Sequence, residues 1–154
     1  MTQTATDNAL REAEKFFHER IPLTRAMGLR VVSDHTHGFA LEAPVALNYN
    51  HLHTAFGGSI NAVATLAGYG FLWLELGDEA AHVVVGASSI NYLQPVRETI
   101  RAVCIKPPTV EHEAFRERLR DKGKAKITLS VQVEENGLLA AQFEGVFVAL
   151  SAKR

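Results

Sequence analysis

Two short stretches of the chain carry residue types that could act on a carbonyl group. The first is the polar loop Asn50-His51-Leu52-His53-Thr54, and the second is Gly57-Gly58-Ser59, which begins a long apolar run. The two imidazoles titrate near neutral pH, so either could serve as a general base. If the apolar run is a helix, its first N–H groups have no partner inside the helix and lie at its positive end. Such a helix start can stabilise an oxygen that gains negative charge.

The helix that would carry this start runs from Ala55 to Leu76 and has no polar face. Its first charged residue is Glu75, and a helix that is apolar on all sides must be surrounded by other elements. Small residues fill its first half, so we expect neighbouring backbone to approach its axis closely. A membrane span is the alternative, but Asn61 and Thr65 interrupt the run, and neither end has a basic anchor. We therefore predict a buried core helix and no contact with a membrane.

The rest of the chain predicts strands and two flanking helices. Apolar periodicity favours a helix over Ala9–Ile21, and a polar helix follows that Thr109 caps and Gly123 ends. This order predicts an α+β hotdog fold, an antiparallel sheet wrapped around one long central helix. Residues 1–21 are a helical extension in this prediction, and 22–154 are the single hotdog domain. The β-prone runs are Gly28–Asp34, Gly38–Ala43, His82–Leu93, Thr99–Lys106, Ile127–Val133 and Leu139–Phe147.

The last two runs present a choice of register. A two-residue turn at Asn136-Gly137 would place Val131 opposite Gln142 and put the apolar side chains of the two strands on opposite faces. A three-residue loop, Glu135-Asn136-Gly137, pairs Val131 with Ala141 and keeps the apolar side chains together. We therefore expect the three-residue loop.

Composition limits the partners and the compartment. The chain has 154 residues, 47% hydrophobic content, a net charge of −1 and one cysteine. These values fit one domain with a sizeable core and argue against a general binder of nucleic acid or of membrane surfaces. Cys104 alone cannot form an internal disulfide, and Met1 to Ala9 lacks the features of a secretory signal, so we expect a cytoplasmic protein. A homodimer would cover the exposed sheet edge, and pairing of dimers into a tetramer stays open.

Four motifs taken together suggest a family: Asn50, Thr54–Ser59, Leu66–Tyr69 and Asn91–Val96. In this order and spacing the sequence resembles the hotdog-fold thioesterases over roughly residues 22–149. It is similar first to the thioesterase-like domain fused to some bacterial acetyltransferases, and more distantly to the phenylacetyl-CoA thioesterase group. The resemblance implies that the N–H of Gly58 donates to a thioester carbonyl and that Asn50 positions the nucleophile or the hydrolytic water.

The chain departs from the phenylacetyl-CoA group at two positions. Phe56 stands where those relatives have a histidine, and Thr65 stands where they carry an acidic residue. No Asp, Glu, Lys or Arg occurs within 43–74. The general base is therefore His51, His53, a carboxylate from elsewhere or from a partner subunit, or absent.

Two functions fit these residues. The first is hydrolysis of an acyl-CoA or acyl-carrier thioester, in which Asn50 and His53 hold and activate water and Gly58 polarises the carbonyl. The alternative is a non-catalytic module that binds acyl thioesters. Cations after the Lys- and Arg-free middle of the chain would bind the phosphates of coenzyme A. The expected substrate-binding residues are His51, Phe56, Gly57, Ser59, Thr65, Lys124 and Lys126.

We expect no cofactor and no metal ion. The pairs His51-x-His53 and His35-x-His37 each offer two nitrogens, but neither has a third ligand at a suitable spacing.

Overall fold

Residues 3–33 and 38–152, which the computed structural model describes, form four α-helices and a six-stranded sheet. The helices are α1 (Gln3–Arg20), α2 (Pro22–Ala26), α3 (Gly57–Leu76) and α4 (Thr109–Lys122). The predicted helices and strands are present, and α1 begins earlier than expected. The strands are β1 (Arg30–Ser33), β2 (Phe39–Pro44), β3 (Ala80–Tyr92), β4 (Thr99–Cys104), β5 (Lys124–Glu135) and β6 (Leu138–Ser151).

The sheet wraps around α3. Its strands follow the order β1-β2-β4-β5-β6-β3, and every neighbouring pair is antiparallel. Alternate residues such as Leu41, Ile100, Leu129 and Phe143 are buried with the apolar residues of α3 in one core. This is the predicted α+β hotdog arrangement, one sheet around one long helix. The turn expected between β1 and β2 falls in residues 34–37, outside the described part.

Glycines in the second half of α3 make room for aromatic rings. A Cβ atom at Gly68 would come within 2.5 Å of the ring of Phe147. A Cβ atom at Gly70 would clash with the rings of Phe39 and Phe17. The close approach predicted for α3 is therefore made by side chains of the sheet and of α1, whereas backbone was expected there. Within the described residues, no helix combines the length and apolarity that a bilayer span requires.

The β5–β6 hairpin corrects the register expected from sequence. The chain turns through Asn136 and Gly137, whose φ angles are 53° and 77°, as a type I′ turn requires. The expected three-residue loop is therefore wrong. A β-bulge at Ala140 adds one residue to β6, so Val133 pairs with Ala141 and the apolar side chains of both strands still meet on the inner face.

Side chains of the flanking helices α1 and α4 contact α3, and α4 also packs against β5. The ring of Phe16 in α1 stacks on Trp73, with 4.6 Å between ring centroids. From α4, His112, Phe115 and Leu119 are buried. Gly123 ends α4 in a left-handed conformation with a φ of 74°, as predicted.

The amino end of α4 differs from the prediction. Pro108 holds the N-cap position, and no side chain caps the helix. Thr109 is the first helical residue, so its hydroxyl does not serve as the expected cap.

Candidate active site

The amino end of α3 is open at the surface. Gly58 is exposed, and Gly57 and Ser59 are half-buried. The N–H of Ile60 donates the first helical hydrogen bond to the carbonyl oxygen of Phe56, over 3.0 Å. The three preceding N–H groups therefore lie ahead of the helical ladder, at the positive end of the helix dipole. This arrangement offers backbone donors to a carbonyl oxygen that binds there.

Asn50 shapes the loop that leads into the helix. Its Oδ1 atom accepts hydrogen bonds from the N–H groups of Leu52 and Thr54, over 2.9 and 3.2 Å. Its Nδ2 atom donates to the hydroxyl of Thr54 over 3.0 Å and to the carbonyl oxygen of Ala55 over 3.4 Å. The side-chain amide of Asn50 is therefore hydrogen-bonded within the loop. Its contact with Ala55 places it close to the start of α3.

The loop histidines lie at the exposed tip. The backbone of His53 is left-handed, with a φ of 59°, and its ring stacks on Tyr49 with 5.3 Å between ring centroids. Its N–H donates to the carbonyl oxygen of Asn50 over 3.0 Å. His51 is exposed as well. Both histidines are therefore on the solvent side of the loop.

Two aromatic rings frame the glycine pair. Phe56 is 56% exposed, and a Cβ atom at Gly58 would come within 2.5 Å of its Cε1 atom. Tyr92 donates from its hydroxyl to the carbonyl oxygen of Gly57 over 2.9 Å. A Cβ atom at Gly57 would lie 3.5 Å from the Tyr92 ring, an ordinary contact. The helix start thus has an aromatic ring on either side.

Thr65 lies on α3 beyond this start. It is seven residues after Gly58, which corresponds to about 10 Å along the helix axis. Its hydroxyl donates back to the carbonyl oxygen of Asn61 over 2.8 Å. The hydroxyl hydrogen of Thr65 is therefore used within the helix.

The described residues contain no group of three His, Cys, Asp or Glu side chains placed to hold a metal ion. His35 and His37, the second pair considered above, lie outside the described residues.

Lys124 and Lys126 lie at the other end of the sheet from the glycine pair. These lysines begin β5. At the opposite end of the sheet, Tyr92 of β3 pairs with Ala141 of β6, which in turn pairs with Val133 of β5. Nine residues of strand separate the two ends, which corresponds to about 30 Å. The lysines line a surface cavity of about 630 Å³ with Arg118, Lys122 and Ala125. One subunit therefore does not bring these lysines together with Gly58.

The contacts of two residues near the site were not expected from the sequence. Tyr92 was part of a family motif, but only the folded sheet places its hydroxyl on Gly57. Glu135 was part of an expected loop, but its carboxylate accepts backbone N–H groups from residues 97–99. The sequence signals for Tyr92 were this motif and its place near the end of a strand, and no sequence signal indicated the contacts of Glu135.

Comparisons with known proteins agree with the fold. Residues 10–151 match the model of the family described as "Putative thioesterase (yiiD_Cterm)". The crystal structure of the "putative thioesterase from Shewanella oneidensis" is 32% identical, covers 94% of this chain and 99% of its own, and has a TM-score of 0.84. A protein of unknown function from Chlorobaculum tepidum is 29% identical, with 95% and 96% coverage and a TM-score of 0.86.

The resemblance extends to a more distant group by fold alone. A mutant of the phenylacetic acid degradation protein PaaI from Thermus thermophilus is 22% identical, with 84% and 98% coverage and a TM-score of 0.58. Since the family model spans most of the sequence, the chain belongs to this thioesterase family. The predicted hotdog fold and the predicted resemblance to its thioesterases are confirmed. Thioester hydrolysis is the general activity that this membership supports.

Proposed function

We propose that the protein hydrolyses an acyl thioester, carried by coenzyme A or by an acyl-carrier protein, at the amino end of α3. The observation that carries this proposal is the set of N–H groups at 57–59, ahead of the helical ladder and flanked by Phe56 and Tyr92. The thioester oxygen accepts a hydrogen bond from Gly58 and gains negative charge when water attacks the carbonyl carbon. The helix dipole and the N–H stabilise that charge. The carbon–sulfur bond then breaks, and the sulfur leaves as a thiol after it takes up the proton that the attacking water gave up.

Asn50 and His53 hold and activate the attacking water in this proposal. The contact from Nδ2 of Asn50 to the carbonyl oxygen of Ala55 is its longest, at 3.4 Å, so a water molecule replaces it most easily. The ring of His53 is exposed and can turn away from Tyr49 to accept the proton. His51 is the second candidate for this proton.

The acyl group lies along the apolar surface beside the helix start. Phe56 forms one side, and alternate residues of β3 form the other, from Ser88 through Ile90 to Tyr92. Gly57 and Ser59 border the acyl group at the start of α3, and Thr65 borders it about two turns further along the helix. This placement makes Phe56 and Tyr92 the residues that set the width of the acyl site.

A second copy of the chain completes the assembly through β3. This strand of 13 residues forms one edge of the sheet, and its Val84 and Val85 are 52% and 41% exposed. Unpaired strand edges bind other strands, so we propose a homodimer joined along β3. Sedimentation should give a dimer mass, or a tetramer if dimers pair further. A monomer at micromolar concentration would contradict the pairing.

Binding of the coenzyme A phosphates to Lys124 and Lys126 requires such an assembly. Within one subunit Lys124 and Lys126 lie nine and seven residues of strand from the end of β5 near Tyr92, about 30 and about 23 Å, so we propose that they serve a thioester bound by another subunit. The surface cavity that they line with Arg118 and Lys122 is entirely cationic in its charged side chains, which supports phosphate binding.

The proposed compartment is the cytoplasm. Cys104 is unpaired and fully buried, and burial raises the pKa of its thiol to about 12. A buried, protonated thiol is inert and suits a reducing compartment.

Thiol release over a panel of acyl thioesters tests the proposed reaction. The panel contains short, long and aromatic acyl groups on coenzyme A, and the same acyl groups on a carrier protein. We expect release above the spontaneous rate for at least one acyl class. Absence of release across the panel would contradict the proposal.

The non-catalytic binding module is the second candidate. It is favoured by the positions of Phe56 and Thr65, which supply no base, and by the Thr65 hydroxyl bonded to Asn61. Calorimetry with the same panel separates the two candidates. Heat of binding without thiol release would support the module, whereas binding with release supports the enzyme.

A further inference from the structure

Glu135 ends β5 and places its carboxylate against consecutive backbone donors. Its Oε1 atom accepts the N–H of Arg97 over 2.8 Å. Its Oε2 atom accepts the N–H groups of Glu98 and Thr99 over 2.8 and 3.1 Å. Hydrogen bonds to an ionised acceptor are about twice as strong as neutral ones. The carboxylate therefore fixes the segment 97–99 firmly.

These bonds also keep the side chain ionised. Burial alone would raise the pKa of Glu135, but the N–H bonds from residues 97–99 outweigh it and hold the pKa below its usual value. At neutral pH the group is a carboxylate that only accepts hydrogen bonds. Its oxygens are already engaged by backbone N–H groups, so Glu135 does not serve as the general base.

The hairpin tip holds a second part of the same segment. The carbonyl oxygen of Ala140, the bulge residue, accepts the N–H groups of Leu93 and Gln94 over 2.8 and 3.1 Å. The tip of the β5–β6 hairpin thus binds the connection between β3 and β4 at both of its ends.

Two peptide groups of that connection reach the loop before α3. The N–H of Arg97 and the carbonyl of Val96 belong to one planar peptide group, and this carbonyl accepts the N–H of Ala55 over 2.8 Å. In the same way, the N–H of Thr99 and the carbonyl of Glu98 belong to one peptide group. This carbonyl accepts the N–H of Val45 over 2.9 Å. Each of these peptide groups donates its N–H to the Glu135 carboxylate and accepts, at its carbonyl oxygen, an N–H of the loop. Bonds in series polarise and align one another.

The two residues that donate to these carbonyl oxygens lie at the two ends of the loop before α3. Val45 follows β2, and Ala55 immediately precedes Phe56, the N-cap residue of α3. Between them lies Asn50, and three residues after Ala55 comes Gly58. The direction in which the first N–H groups of α3 point is therefore tied to the orientation of the 96–97 peptide group.

We propose that Glu135 is a positioning residue for the thioester site, acting through the peptide groups 96–97 and 98–99 on the loop 45–55. The catalytic consequence rests on the proposed function, whereas the structural consequence does not. Misplacing a reacting group by 1 Å can lower a rate by about a hundredfold, so loosening this support should lower kcat.

Two variants and one control test the proposal. Glu135→Gln keeps the shape but turns an amide N–H₂ toward at least one backbone N–H, and Glu135→Ala removes all the acceptors. Glu134→Gln removes the neighbouring carboxylate, whose Oε1 lies 3.4 Å from Nε of Arg101, and leaves the segment 97–99 untouched. Amide hydrogen exchange is measured residue by residue, and thiol release is measured on a substrate of the wild type.

We expect Glu135→Gln to speed exchange at Arg97, Thr99 and Ala55 by about tenfold and to lower kcat by about tenfold while KM changes less than about twofold. Glu135→Ala should give larger changes in the same direction, and Glu134→Gln should give neither. Glu135→Gln alone decides the matter if Glu135→Ala does not fold.

Three results would overturn the proposal. The first is unchanged exchange at Ala55 when exchange at Arg97 and Thr99 rises. The second is exchange that rises evenly over the chain, which indicates loss of global stability. The third is an unchanged kcat in an active enzyme. If the wild type releases no thiol, the proposed function fails, and the exchange at Ala55 still decides whether Glu135 positions the loop.

Discussion

The hydroxyl of Tyr92 donates a 2.9 Å hydrogen bond to the carbonyl oxygen of Gly57. This bond joins the last residue of β3 to the first residue of α3. The edge strand proposed to pair the two subunits is thus directly connected to the helix start proposed to bind the thioester. In the proposed homodimer, a change at β3 would therefore reach the proposed site through the side chain of Tyr92.

Removing this hydroxyl tests the connection. Tyr92→Phe keeps the ring beside Gly57 but loses a hydrogen bond worth about 1 kcal/mol, so we expect kcat/KM for thiol release to fall by about fivefold. Tyr69→Phe is the matched control, because Tyr69 lies in the middle of α3 beneath α1. Equal rates for Tyr92→Phe and the control would contradict the connection.

The two glycines should differ in their tolerance of a methyl group. In Gly57→Ala the new Cβ meets the Tyr92 ring at 3.5 Å, an ordinary contact, whereas in Gly58→Ala it meets Phe56 at 2.5 Å. The Phe56 ring is exposed and can move, so both variants should fold. We expect thiol release by Gly58→Ala to be at least about tenfold lower than by Gly57→Ala.

A double variant separates the clash from other causes. Adding Phe56→Ala to Gly58→Ala removes the ring that the methyl group displaces, and should recover part of the lost rate if the clash is the cause. Thiol release measured on the wild type, the two single variants and the double variant checks this prediction. A double variant slower than Gly58→Ala would show that Phe56 contributes through substrate contact instead.

His112 predicts a dependence of stability on pH. It is 8% exposed, and its Nε2 atom lies 3.4 Å from Oε1 of Glu75. Burial lowers the pKa of His112, and the Glu75 carboxylate opposes that shift only in part. The unfolded chain, in which a histidine has a pKa of about 6.5, therefore binds this proton at a higher pH than the folded chain does.

The free energy of unfolding should consequently fall as the pH drops below about 6.5, until the pH reaches the lower pKa of the folded chain. His112→Leu removes this titration, so its free energy of unfolding should change less than that of the wild type between about pH 7 and about pH 5. Denaturant unfolding at several pH values measures both. His82→Gln, at an exposed position of β3, should keep the wild-type slope, and an equal slope for His112→Leu would contradict the assignment.

The fold could be predicted because its main signals are local. The uncharged run of α3 and the alternation in β5 and β6 identify a wrapped helix and half-buried strands from neighbouring residues alone. The register of the β5–β6 hairpin could not be predicted in this way. The bulge at Ala140 brings the apolar side chains of the two strands onto the same face. The carbonyl oxygen of Ala140 accepts hydrogen bonds from Leu93 and Gln94, which are distant in sequence.

The position of the candidate site in the fold depends on both local and distant contacts. Asn50 and Gly58 are close in sequence, so the loop and the helix start could be placed together. The N–H groups that Glu135 binds come from 36 to 38 residues away, and only tertiary structure connects them. Lys124 and Lys126 failed to reach the site within one subunit because periodicity assigns a residue to a face of a strand, whereas the end of the sheet depends on topology.

Hydrolysis of an acyl thioester at the amino end of α3, beside Asn50, is tested most directly by thiol release. Release should be measured for the wild type, for Asn50→Ala and for the control Asn8→Ala, at an exposed position of α1, on the thioester that the wild type hydrolyses fastest. We expect clear release by the wild type and the control, and a rate lower by on the order of a hundredfold for Asn50→Ala. Release by Asn50→Ala at the wild-type rate, or no release by the wild type on any thioester, would contradict the proposed hydrolysis at this site.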